Sequence, residues 1–72
     1  MTTNKNTIKT MNNLFNVDTN NINTEADLLN AMKTFMDNWD EADDIKYIET
    51  VNGDMVCYTV DNDNNIVEMW VE

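Results

Sequence analysis

The chain contains no arginine, histidine, serine, glutamine or proline, and it has a single cysteine and a single glycine. Each absence removes a class of function. Without histidine there is no imidazole base and no Ser-His or Cys-His pair, and without serine there is no nucleophile elbow. Without arginine, and with four lysines against 14 acids, a phosphate-binding groove has little to be built from. Cys57 alone cannot form an internal disulfide, which points to a reducing compartment. No apolar run approaches the ~20 residues that span a bilayer. The polar stretch from Met1 to Ile8 does not read as a signal peptide. The expected location is therefore the cytoplasm, with no membrane partner.

What is present suits one small domain. The 72 residues are 42% hydrophobic, with two Trp, two Tyr and two Phe, more than a disordered acidic tail carries. At this size only roughly 60% of the unfolded chain's surface is hidden on folding, so the core is thin. The whole chain, 1–72, reads as a single unit with 1–6 expected to be flexible. The net charge is -10, and it is unevenly placed. Residues 1–17 hold Lys5 and Lys9 and no acid, whereas 18–72 hold all 14 acids and only Lys33 and Lys46. No internal repeat or low-complexity tract stands out among the 14 asparagines.

The pattern predicts an α+β fold, with one or two N-terminal helices packed on a three-stranded antiparallel meander. A helix is expected from about Glu25 to Trp39, capped by Thr24 with Asp27 as capping-box partner. Its apolar stripe is Leu28, Leu29, Met32, Phe35, Met36 and Trp39, at spacings of 1, 4, 7, 8 and 11 from the first. A second helix fits Thr7 to Asn16, although a strand is the alternative there. Residues 17–23 read as a loop. After Asp44 the period changes to two, with strands at Ile45–Val51, Asp54–Val60 and Ile66–Glu72. Asn52-Gly53 between the first two is a strong hairpin signal.

A two-residue Asn52-Gly53 turn sets Ile48 opposite Cys57, Thr50 opposite Met55 and Tyr47 opposite Tyr58. A five-residue second loop sets Cys57 opposite Met69, Met55 opposite Val71 and Tyr58 opposite Glu68. One face then collects Ile48, Met55, Cys57, Val67, Met69 and Val71, the expected core side, with Lys46, Thr50 and Thr59 toward its edges. The other collects Tyr47, Tyr58 and Trp70 among Glu49, Asp54, Glu68 and Glu72, together with Ile45, Val51, Val56, Val60 and Ile66. Aromatic anchors in an acidic field suit a protein-binding surface. The alternative is that they complete a thin core. A slip of one residue in the register would exchange the faces.

A second candidate is the cluster Asp37, Asp40, Glu41, Asp43 and Asp44, five carboxylates in eight residues. It falls where the helix is expected to end, and there the macrodipole disfavours negative charge. Such a surface can face a basic partner, or it can simply keep a small protein soluble. The expected partner-binding set is Asp37, Asp40, Glu41, Asp43, Asp44, Tyr47, Glu49, Tyr58, Glu68 and Trp70. Asp61, Asp63, Asn65 and Glu72 superficially follow a calcium loop, but Ile66 stands where that loop needs glycine. No cofactor or metal is therefore expected. Cys57 is expected in the core as a small hydrophobe. Carboxylates alone can run acid–base chemistry, but so short a chain has little concave surface, and an enzyme is not expected.

The segment Ile48-Glu49-Thr50-Val51-Asn52-Gly53, with Tyr58 and Trp70-Val71, resembles the C-terminal hairpin of small type I-F anti-CRISPR proteins. That family is phage-encoded, with one helix packed on an antiparallel sheet. The resemblance implies an inhibitor of phage or mobile-element origin, and such proteins block Cas effector complexes, often where nucleic acid binds. The similar protein is not strongly acidic, so its functional residues are not carried over. Together with the acidity, the resemblance implies mimicry of nucleic acid toward a defence or DNA-processing protein of a bacterial host. The alternative is an assembly module that dimerises, or docks on a scaffold, through its aromatic sheet face.

Overall fold

A computed structural model describes residues 15–72, and the helix expected over 7–16 lies, apart from its last residues, outside them. The order is a 3-10 turn (Thr19–Asn21), helix α1 (Glu25–Ala31), then β1 (Met36–Ala42), β2 (Ile45–Thr50), β3 (Met55–Val60) and β4 (Ile66–Val71). The strands form one antiparallel sheet in the order β1-β2-β3-β4. The fold class is α+β as expected, with four strands in the sheet instead of three. No helix among the described residues is long and apolar enough to cross a membrane.

Helix α1 begins as its sequence dictates. The Thr24 hydroxyl accepts from the Asp27 amide (3.2 Å), and the Asp27 carboxylate accepts from the Thr24 amide (3.1 Å), which completes the capping box. It ends eight residues before Trp39, the expected limit. Met32–Phe35 make tight turns, with the Phe35 amide donating to the Met32 carbonyl at 2.9 Å. The chain then enters β1, because Asp37, Asn38 and Asp40 are poor helix formers and the two Asp charges oppose the helix C-terminus. The apolar spacing misled for a specific reason. A bulge between Met36 and Asn38 leaves Asp37 unopposed, with Met36 paired to Thr50 and Trp39 to Ile48. A bulge lets residues three apart share one sheet face, which imitates a helical repeat.

The central strand also departs from the expected register. Thr50 and Asp54 close a three-residue turn, in which the Thr50 amide donates to the Asp54 carbonyl (2.8 Å) and the Gly53 amide to the Thr50 carbonyl (3.1 Å). Gly53 has φ +87, the left-handed position that this longer hairpin loop requires. One extra residue in the turn slips the pairing by one. Ile48 pairs with Val56, Tyr47 with Cys57 and Lys46 with Tyr58. On the other side Tyr58 pairs with Met69, Cys57 with Trp70 and Val56 with Val71. Relative to the expected pairing, β3 is turned over between two neighbours that keep their faces. A second bulge leaves Val67 of β4 unopposed and pairs Val60 with Ile66. Ile66 is therefore buried, while Val67, expected in the core, is 39% exposed.

The covered face of the sheet carries Ile48, Val56, Tyr58, Ile66 and Met69, which pack with Leu28 and Met32 of α1 and with Phe15 and Ile22. The Phe15 and Phe35 rings meet at 5.3 Å between centroids, tilted by 59°, a favourable edge-inclined contact.

Candidate protein-binding surface

Two cross-strand rows define the sheet surfaces. On the covered side Glu41, Lys46, Tyr58 and Met69 lie in line across all four strands. On the opposite side the row is Asp40, Tyr47, Cys57 and Trp70. Tyr58 was expected with Tyr47 and Trp70 on an exposed face. It is instead fully buried, because β3 is turned over.

The Tyr58 hydroxyl is the centre of a polar cluster at the edge of the core. It accepts from the Trp39 Nε1–H (2.8 Å) and donates to the Glu25 Oε2 (2.8 Å), which also accepts from the Lys46 Nζ (2.9 Å). The Lys46 ammonium stands 5.9 Å from the Trp39 ring centroid, within cation–π range. Burial, outweighing the Trp39 hydrogen bond and reinforced by Glu25, pushes the Tyr58 phenol well above its ordinary value. Burial alone would raise the Glu25 carboxyl, but the hydrogen bonds from Lys46 and Tyr58 and the charge of Lys46 hold it below the usual value. This cluster ties the first turn of α1 to β1, β2 and β3. The placement of Lys46 and Tyr58 on one sheet face with buried Ile48 was its only signal in the sequence, and that depended on the true register.

The open face is different in kind. Tyr47 and Trp70 are half-buried and flank Cys57, which is 4% exposed. Met55, expected in the core with Cys57, is paired with Glu49 on this same side. The Asp40 charge, followed by desolvation and the charge of Glu49, raises the Tyr47 phenol above its ordinary value. Burial, with a smaller contribution from Glu72, raises the Cys57 thiol, which keeps it protonated and unreactive. The Trp70 Nε1–H donates to the Glu72 Oε1 (3.3 Å), and Glu68 pairs with Thr59 nearby. Tyr47, Glu49, Glu68 and Trp70 therefore share this face, and Asp40, expected at the end of a helix, lies on it with them.

The five-acid cluster lies on β1 and its turn, not at a helix end. Asp37 occupies the bulge, Asp40 faces Tyr47, Glu41 faces Lys46, and Asp43 and Asp44 form the turn into β2. Asp43 has φ +54, a conformation that Asp tolerates better than most residues. Every β1 residue except Met36 is exposed. The carboxylates thus surround one edge of the sheet from both faces. A shallow cleft of about 500 Å³ beside the β2–β3 turn is lined by Asp37, Glu49 and Asp54 with Val51 and Met55. In the β3–β4 turn the Asp61 carboxylate accepts the amides of Asp63 and Asn65, both at 2.9 Å. These bonds, the Asn65 amide first, hold it below its ordinary value. Among the described residues no three acids or cysteines are grouped to hold a metal ion.

Comparison with protein-family models, curated proteins and solved structures finds no match to this chain.

Proposed function

We propose that this chain is an acidic inhibitor, of phage or mobile-element origin, that occupies a basic nucleic-acid-binding surface on a host defence or DNA-processing protein. One observation carries the reading: carboxylates of Asp37, Asp40, Glu41, Asp43 and Asp44 line the β1 edge and its turn, and Lys46, the one base on the paired strand β2, is engaged by Glu25. Concentrated negative charge on a rigid edge attracts surfaces evolved for phosphate and speeds their association. Tyr47 beside this edge, and Trp70 farther along the same face, supply apolar area where a docked partner would exclude water. The hairpin resemblance makes Cas effector complexes the first candidates for the partner.

Capture from a bacterial lysate, followed by elution with duplex DNA, tests this. The retained protein is expected to be released by DNA and by salt, because charge contacts between exposed groups are screened beyond about 8 Å at physiological ionic strength. A variant carrying Asp40→Asn, Glu41→Gln, Asp43→Asn and Asp44→Asn is expected to stay folded and lose retention at least about tenfold, as several rim charge contacts are removed together. Retention that neither DNA nor the substitutions affect would sink the proposal. A homodimer in sedimentation that Trp70→Ala dissociates would instead favour the assembly role.

A further inference from the structure

The two edges of the sheet are not equivalent. At the β4 edge the start of the strand is covered by the chain leading into α1. The Ile66 amide donates to the Asn23 carbonyl (2.8 Å), the Glu25 amide donates to the Asn64 carbonyl (2.9 Å), and Thr24 bridges to Asn65. At the β1 edge the Met36 amide donates to the Met32 carbonyl (3.0 Å), and past that first residue no described strand lies on the outer side. Alternate residues of an antiparallel edge strand direct their amides and carbonyls outward, ready to take another strand.

We propose that the outer edge of β1 takes up an extended segment of the partner that bears lysine or arginine, adding it as a fifth strand. This rests on the reading of the chain as a binder of basic surfaces and states how the contact is made. Charge selects the occupant. Residues 37–44 hold five acids and no base, so a second copy of the same edge would set carboxylate against carboxylate, which is destabilising. A basic strand meets Asp40 on the Tyr47 side and Glu41 on the Trp39 side. Its cationic residues can therefore point to either face and still find a carboxylate. Trp39, 39% exposed, adds an aromatic face for such a cation. Main-chain hydrogen bonds supply affinity in strand addition, and the side chains supply the choice of strand.

The test uses the full chain and a nine-residue lysine-valine-threonine peptide, with two further versions N-methylated at alternate residues in either frame. The three peptides carry equal charge, but each methylated frame removes the amides on one side of the added strand. Binding is measured by calorimetry at low salt. The parent peptide is expected to bind, one frame to bind at least about tenfold more weakly, and the other to stay within about threefold, since a few main-chain bonds account for such a ratio. Equal binding of the two frames, or no binding of the parent, overturns strand addition. The charge-reduced variant then separates this inference from the reading beneath it. If the frames are alike but that variant has lost binding, charge attraction stands and edge pairing fails. If that variant binds the parent peptide unchanged, both fail.

Discussion

Tyr47 and Tyr58 lie on adjacent strands of one sheet and have opposite roles. Tyr58 is fully buried, with its hydroxyl held between Trp39 and Glu25. Tyr47 is half-buried on the open face, and the charge of Asp40 is the main influence on its phenol. Both phenols resist ionisation, one chiefly because water is excluded and the other chiefly because carboxylates surround it. The contrast teaches that residue type does not assign a tyrosine to core or interface in so small a sheet. The strand's orientation does.

The largest test of this division pairs two neighbours on β2. Ile48→Ala removes a fully buried side chain from the covered face and is expected to cost about 2–5 kcal/mol. Tyr47→Ala is expected to cost at most about 1 kcal/mol, the range for side chains outside the core. Urea denaturation measures both, and equal losses would mean that the open face is also part of the core.

Next in size is Tyr58→Phe, which removes the hydroxyl that Trp39 and Glu25 share at the edge of the core. An expected loss of about 1–3 kcal/mol follows from two lost hydrogen bonds, one of them to a carboxylate, against little change for Tyr47→Phe. Alkali sharpens the same comparison. The folded Tyr58 phenol titrates above its unfolded value of about 10, so the native state keeps a proton that the unfolded chain releases. The stabilisation is complete below pH 10 and falls as pH rises further. Unfolding followed between pH 9 and 12 should show this fall in the parent and a shallower one in Tyr58→Phe.

The smallest expected effect is at the β2–β3 turn. No atom lies within 4 Å of a Cβ built on Gly53, but its φ of +87 strains any other residue. Gly53→Ala should cost about 1 kcal/mol by thermal denaturation, with no change in the covered core. A loss several times larger would indicate that the register of β3 had moved with the turn.

Much of the architecture is written locally. The Thr24–Asp27 cap, the change to period two after Asp44 and the Asn-Gly hairpin signal each follow from a few neighbouring residues. What escaped was the count of residues in a turn and the presence of two bulges. Both are choices among near-equal local geometries, settled by which arrangement buries more of Val56, Tyr58 and Ile66. The candidate site followed the same division. Tyr47, Glu49, Glu68 and Trp70 were placed together correctly because β2 and β4 keep their faces, whereas Tyr58, on the inverted strand, was not. The acid cluster was visible as composition, but its position on an edge strand was hidden by the Met36 to Trp39 spacing that Asp37 makes possible.

The three-residue loop at Val51–Gly53 acts on the sheet as a parity setting. Closure by Thr50 and Asp54 sends Tyr58 inward and Cys57 outward, and closure by Val51 and Asp54 would exchange them along the full length of β3. A loop substitution that favours the two-residue Asn52-Gly53 turn would therefore rewrite the surface offered to a partner in one step, without changing any residue of any strand. Deleting a loop residue while Thr50 still faces Asp54 leaves Tyr58 opposite Lys46 and both faces as they are, so the choice of closing pair decides what this sheet presents.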